Sequence, residues 1–220
     1  MTPQFIDKKR YPVVFSTDRL LAQGELRFSR RRFEKGSCVF REQERHPFTY
    51  HMVSGLVRLH LTSPDGGVKT LFYHTDGTQF GFQGFKRDGL TKSTAVAVAD
   101  TELLEIRFSD LLAYCDVHTE CYLAYLEYLF SIMSSQTDEI ASLSFETGLH
   151  RLAGLLRSMA LGGNAEIPYS IDELAEMVGA HRNTVSNALA HLRGLGLVSA
   201  RTRPIAVADV EGLSRYVDGL

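Results

Sequence analysis

The stretch from Ser170 to Leu192 constrains the fold of this 220-residue chain more than any other. Ser170-Ile171-Asp172-Glu173 has the pattern of a capping box. The hydroxyl accepts an orphan backbone N–H while the carboxylate three residues on reaches back, which fixes a helix start. Leu174 and Ala175 face inward along a helix that reaches Val178, and Gly179 supplies the left-handed residue that stops it. A second helix begins after Ala180-His181 and runs from Arg182 to Leu192. Val185, Leu189 and Leu192 fall on its buried face at helical spacing, whereas Arg182, Asn183, Ser186, Asn187 and Ala190 point the other way. That outward row holds short amide, hydroxyl and guanidinium groups, the kind that hydrogen-bond to base edges in a major groove. A merely solvated helix would more often carry Glu and Lys.

Beyond Leu197-Val198 the chain enters a short hairpin, Ser199 through Val207, with Arg201 and Arg203 near its tip. A basic tip beside a recognition helix can hold phosphates. Capping box, glycine turn, polar outer face and basic hairpin occur in the order of a winged helix-turn-helix. The competing reading is a small helical domain that binds protein. The net charge of −2 does not announce a nucleic-acid partner, so the DNA-binding surface must come from local clustering of Arg182, Arg193, Arg201 and Arg203.

Upstream the periodicity is different. From about residue 28 to 108, short apolar alternations such as Leu56-Val57-Arg58-Leu59-His60-Leu61 are broken by turn formers, Pro64-Asp65-Gly66-Gly67 and Asp76-Gly77 among them. A last strand is expected over residues 95–106. Several short strands at regular spacing imply a sandwich or a barrel. After residue 110 the pattern turns helical for about thirty residues without Pro or Gly. Within it Tyr122, Leu126, Leu129, Met133, Gln136, Ile140 and Leu143 repeat at spacings of four and three, the seam of a coiled coil. A neighbouring stripe, Cys121, Tyr125, Tyr128 and Ile132, is apolar as well. One face is therefore expected to pair with a second copy while the other covers the strands; the alternative is a helix that only caps its own domain. A further helix follows, with Leu149, Leu152, Ala153, Leu156 and Met159 on one face and Gly162-Gly163-Asn164 at its end.

Three parts follow from this pattern: residues 1–110 as a sensing domain with an N-terminal segment, 111–144 as a dimerisation helix, and 145–220 as the winged helix-turn-helix. Hydrophobic residues make up 44% and charged residues 23% of the chain, the balance of a globular protein. No stretch approaches the ~20 apolar residues of a membrane span, and a cytoplasmic protein is expected. Cys38, Cys115 and Cys121 have neither the number nor the spacing of a disulfide framework or a zinc site. There is no nucleophile turn, phosphate loop or metal-ligand spacing, so neither an enzyme nor a resident cofactor is expected.

These residues closely resemble the Crp/Fnr family of transcription regulators. Ile171-Asp172-Glu173-Leu174-Ala175 followed by Gly179-x-x-Arg182-x-Thr184-Val185-Ser186 and Leu197-Val198 is similar to its DNA-binding signature. Phe33-Glu34-Lys35-Gly36, Ser54 through Leu59, Gly77 through Gly81, and Glu102-Leu103-Leu104-Glu105-Ile106 resemble its cyclic-nucleotide-binding-like barrel. The resemblance implies an α+β chain: an N-terminal double-stranded β-helix (cupin-like jelly-roll) barrel, a long dimerisation helix and a C-terminal winged helix-turn-helix. It also implies a homodimer on double-stranded DNA at an inverted-repeat operator, a small-molecule effector, and RNA polymerase as partner. Arg182, Asn183, Thr184, Ser186, Asn187, Arg201 and Arg203 are the expected DNA-binding residues. Asn187 stands where many relatives place Arg, and asparagine pairs bidentately with adenine rather than guanine.

Members that bind a cyclic nucleotide carry Gly-Glu for the ribose and Arg-Ser for the phosphate. Here the positions read Gly81-Phe82 and Lys92-Ser93. Phenylalanine cannot accept from a ribose hydroxyl, and lysine offers a point charge in place of a bidentate fork. Phe72, Phe80, Gly81, Phe82, Gln83, Lys92 and Ser93 are the expected effector-binding residues, with Phe85, Lys86 and Arg87 close by in sequence. They suit a small molecule with an apolar body and an acidic group, such as an aromatic or organic acid. Only Cys38 precedes residue 115, so no iron–sulfur cluster is expected. Haem-based gas or redox sensing, through a strand histidine such as His51, His60 or His74, is the alternative, as is a ligand-binding module that acts through protein contacts.

Overall fold

The computed structural model describes residues 5–6, 11, 25–82, 89–163, 166–199 and 204–219. They fall into two compact units, one gathering 4–62 with 71–136, the other 63–70 with 137–220.

The first unit is built on two β-sheets. Strands β1 (Phe5–Ile6), β3 (Cys38–Phe40), β5 (Val57–Thr62), β6 (Val68–His74) and β8 (Thr94–Ala97) make one sheet in the order β1-β6-β5-β8-β3. Strands β2 (Ser29–Phe33), β4 (Phe48–Ser54), β7 (Gln79–Phe80) and β9 (Thr101–Arg107) make the other, ordered β2-β9-β4-β7. Pairing is antiparallel except between β1 and β6. The expected closed barrel is overturned: among the described residues the strands form two separate sheets, one mixed and one antiparallel, each with two open edges. The edge strands β1, β3 and β7 span only two or three residues and offer too few backbone groups to bridge from one sheet to the other. The single strand expected over 95–106 is also two strands, β8 and β9, which belong to different sheets.

Residues from both sheets meet in one core: Phe40, Val57, Leu59 and Ala95 from the first, Tyr50, Met52, Phe80 and Leu103 from the second. Inward residues alternate with outward ones, as pleated strands require. Helices α1 (Phe108–Val117) and α2 (Glu120–Phe145) follow. The uninterrupted helix expected here breaks at His118, whose backbone leaves helical geometry while its ring bonds Glu25 at 2.7 Å. Cys121, Tyr125 and Tyr128 of α2 are buried in this unit. No described helix is long and apolar enough to cross a membrane.

The second unit contains helices α3 (Gly148–Leu161), α4 (Ile171–Val178), α5 (Arg182–Gly194) and α6 (Val210–Asp218), with strands β10 (Glu166–Ile167) and β11 (Ile205–Ala206) paired antiparallel. The capping box is complete. Ser170 Oγ accepts from the Glu173 N–H at 3.2 Å, and the Ser170 N–H donates to Glu173 at 2.7 Å. Gly179 ends α4 with φ of +63°, where a Cβ would meet the side chains of Leu143 and Lys69 at 3.0–3.2 Å. Two cations satisfy the carbonyls at that helix end. Arg151 donates to Val178 O at 2.7 Å, Gly179 O at 3.1 Å and Glu146 O at 2.7 Å. Lys69 donates to Met177 O at 2.6 Å and pairs with Glu139 at 2.6 Å. Positive charge belongs at a helix C-terminus, where the orphan carbonyls gather. Sequence reasoning anticipated neither β10 nor α6, although Asp209 caps α6 by accepting from the Gly212 N–H at 2.8 Å.

Arg151→Ala strips donors from three carbonyls and is expected to cost about 1–3 kcal/mol. Arg151→Lys should restore only part, since an ammonium cannot span the same fork. Urea denaturation checks both.

Burial holds the His51 pKa down to about 4 and that of His74 to about 3, and also lowers His46 and His60. The unfolded chain binds protons below about pH 6.5 that these buried rings refuse. Stability is therefore full above about pH 7 and falls as the pH drops from about 6.5 to about 4 for His51 and about 3 for His74, with a limiting slope of about 1.4 kcal/mol per pH unit per histidine. Thermal melts across that window should show the fall, and His74→Gln should make it shallower.

Candidate nucleic-acid interface and effector cluster

Helix α5 sorts its residues by face. Val185, Ala188, Leu189 and Leu192 are buried, locking it against the rest of the unit. Each fully buried aliphatic of this size contributes about 1.5–3 kcal/mol. Arg182, Asn183, Thr184, Ser186, Asn187 and Ala190 are all exposed on the opposite side. Thr184 borders this row, and its methyl group lies against Gly148, where a Cβ would approach it to 2.9 Å. Four of the remaining five, Arg182, Asn183, Ser186 and Asn187, form one polar strip that begins at the helix N-terminus, with Ala190 beside it. Backbone N–H groups there lack intrahelical partners, and His181 provides no side-chain cap. Positive potential and hydrogen-bond donors thus coincide at the end from which base-reading side chains project.

One member of the strip is already engaged. Arg182 Nη1 donates to Asp172 Oδ2 at 2.9 Å and Oδ1 at 3.2 Å, linking the first turn of α5 to the first turn of α4. Sequence reasoning used Asp172 only as part of the capping pattern. The signal was available, because Glu173 alone completes the box and leaves Asp172 with no capping duty. A bridge between Val198 and Val207 and a bond from the Ser199 N–H to Ala206 O at 2.9 Å start the hairpin. Arg201 and Arg203 lie outside the described residues.

The expected effector residues do not gather in one place. Phe72 packs with Ile6, Tyr11 and Tyr128, and Phe82 joins the same cluster. Phe82 sets its ring against Tyr128 at 5.5 Å and against Tyr125 at 6.1 Å. Phe80 instead belongs to the core between the sheets, stacked on Tyr50 at 5.2 Å and beside His74 at 5.1 Å. Gly81 takes φ of +87°, and a Cβ there would approach Phe48 O to 3.2 Å. Lys92 is exposed and Ser93 buried. Gln83, Phe85, Lys86 and Arg87 lie outside the described residues.

Sequence reasoning missed Gln79. Its side chain is buried with the amide directed at the Tyr125 phenol, and its main-chain carbonyl accepts from Tyr128 Oη at 2.6 Å. Burial also pushes the Tyr125 phenol well above its usual value, with the Gln79 amide opposing that shift. A glutamine between Thr78 and Phe80 in a strand was the visible hint. Of the strand histidines, His74 Nδ1 faces Thr78 Oγ1 at 3.4 Å. Among the described residues no group of three or more His, Cys, Asp or Glu could hold a metal ion.

Comparison with known proteins gives the same two halves. The family described as the Crp-like helix-turn-helix domain matches residues 150–216, and the Cyclic nucleotide-binding domain family matches residues 30–118. The chain is 31% identical over 196 residues to the Cyclic AMP receptor protein of Thermus thermophilus, a match covering 88% of this chain and 90% of that one. It is 25% identical over 191 residues to a CRP-like cAMP-activated global transcriptional regulator of Mycobacterium tuberculosis, covering 83% and 85%. The fold matches that of the c-di-GMP responsive global regulator CLP from Xanthomonas campestris with a TM-score of 0.77 at 22% identity, over 87% of this chain and 97% of that one. A CooA variant from Carboxydothermus hydrogenoformans matches with a TM-score of 0.74 at 21% identity, over 93% and 99%. A relative above 30% identity that spans nearly the full length, joined to a helix-turn-helix with an exposed polar strip, is decisive: the chain belongs to the Crp/Fnr family of DNA-binding transcription regulators, which are not enzymes.

Proposed function

We propose that this chain is a homodimeric, effector-controlled regulator that reads an inverted-repeat operator with helix α5. The observation that carries the reading is the division of α5 into a buried aliphatic face and an exposed strip of Arg182, Asn183, Ser186 and Asn187. Asn183 and Asn187 offer donor and acceptor together, which suits adenine, while Thr184, Arg201 and Arg203 complete the DNA-binding set. Two copies place their recognition helices in successive major grooves about 34 Å apart. As a transcription regulator the dimer acts on RNA polymerase at the promoter.

Helix α2 is the dimerisation element. Leu126, Met133 and Ile140 are 50%, 57% and 64% exposed in the single chain, and Tyr122, Leu129 and Gln136 lie along the same seam. An apolar row of this length on a 26-residue helix is expensive to leave in water and is covered by the same row of a second copy.

The effector is a small organic molecule bound beside Phe72, Phe82 and Gln79, with Gly81, Gln83, Lys92 and Ser93 in the flanking segments and Phe80 behind. The Thermus and Mycobacterium relatives named above are cyclic-AMP proteins, but Phe82 and Lys92 replace the acceptor and fork that such a ligand uses, which favours an organic acid instead. Binding shifts a pre-existing equilibrium between arrangements that do and do not fit the operator, and its differential affinity for the two limits the response.

Arg182→Ala and Asn187→Ala should each weaken specific operator binding by about 1–3 kcal/mol, roughly 5- to 150-fold, with the melting temperature unchanged. Gel shifts on a selected operator check this, and normal binding by both variants would refute the reading. Leu126→Glu combined with Met133→Glu should convert the dimer to monomer in sedimentation and weaken operator binding in proportion. A persistent dimer would remove α2 from the interface.

A further inference from the structure

We propose that Asp172 is a specificity-determining residue that positions Arg182 to read a guanine in each half-site. The proposal rests on α5 being the recognition helix. Both oxygens of Asp172 bond one nitrogen of Arg182, Nη1, at 2.9 and 3.2 Å. Among the described residues neither Nε nor Nη2 has a hydrogen-bond partner, so the planar Nε–H/Nη2–H edge is left to bind. That edge is the two-pronged fork that matches O6 and N7 of guanine in the major groove.

The ion pair has little to do with holding the fold. The two side chains are 65% and 59% exposed, and exposed pairs of this kind contribute only about 0–1 kcal/mol. Capping does not account for Asp172 either, because Glu173 takes both the N–H and the hydroxyl of Ser170 at 2.7 Å. What the pair does provide is orientation. An arginine at the tip of a helix has many rotamers and can swing to the nearest phosphate; a carboxylate on the neighbouring helix restricts it and repels a phosphate from the same spot. Arg182 is thereby biased toward the base, and its charge is already balanced before DNA arrives.

The distinction can be measured. Full-length wild-type protein, Asp172→Asn, Asp172→Glu and Arg182→Ala are titrated by fluorescence anisotropy against a selected operator. Companion duplexes replace each half-site guanine in turn, and a non-specific duplex of equal length is included, all over a salt series. Thermal melts confirm that each variant is folded. Expected is one guanine whose replacement costs the wild type about 5- to 150-fold. Arg182→Ala should erase that preference while leaving the slope of log affinity against log salt unchanged, since no phosphate contact is lost. Asp172→Asn should reduce the preference at the same base pair by at least about threefold, with non-specific affinity equal or higher, and Asp172→Glu should retain most of it.

Full discrimination at that guanine by Asp172→Asn, or an equal loss at every position, overturns the positioning role. An Arg182→Ala variant that keeps the base preference but loses about one unit of salt slope per half-site places Arg182 on phosphate and also overturns it. If Arg182→Ala changes neither preference nor slope, the positioning role is overturned, and if Asn187→Ala is silent as well, α5 is not the reading helix and the failure lies with that premise.

Discussion

The left-handed turn at Gly179 is the constraint on which the DNA-facing half depends. Two short helices can meet at a fixed angle only if the first ends abruptly, and at φ of +63° only glycine does so without strain. The carbonyls released at that end must still find donors. Arg151, from the helix before, reaches two of them and a third on its own side, and Lys69 takes Met177. The pose of α5 is thus set by backbone hydrogen bonds as well as by the packing of Val185, Leu189 and Leu192. A recognition helix needs that double restraint, because a displacement of one ångström would carry its side chains out of register with the base edges.

How much of this could be read from the residues depended on how local each cause was. Capping box, glycine turn and the two faces of α5 involve residues within a few positions of one another, and all three are present as the sequence suggested. The β-domain was legible as strands but not as an architecture. Sheet membership is settled between residues far apart, and nothing in Ala95 to Ile106 announces that the chain crosses from one sheet to the other near Asp100. The same locality explains the break at His118. Its partner, Glu25, lies more than ninety positions away, whereas the local pattern was that of an unbroken helix.

The effector residues show the limit from another side. A row of phenylalanines in sequence looked like one lining, yet Phe80 and Phe82 fall in different clusters, because β7 ends at Phe80 and the positive φ of Gly81 turns the chain between them. Phe82 shares its cluster with tyrosines of α2, and the buried amide beside them, that of Gln79, belongs to a residue type that carries no motif. The departures from the family pattern at Phe82 and Lys92 are where this chain must be read for itself.

Two open sheets, unlike a closed barrel, leave strand margins that another molecule could extend. Strand β2 forms one such margin and is almost entirely exposed along Ser29–Phe33. Its sequence places Arg30, Arg31 and Arg32 in succession, with Glu102 and Glu105 of the neighbouring strand balancing them from the inside only. A second copy approaching in register would bring like charges together across the new seam, a standard safeguard against edge-to-edge aggregation. The arginine triplet thus disfavours the pairing of this border with a like one.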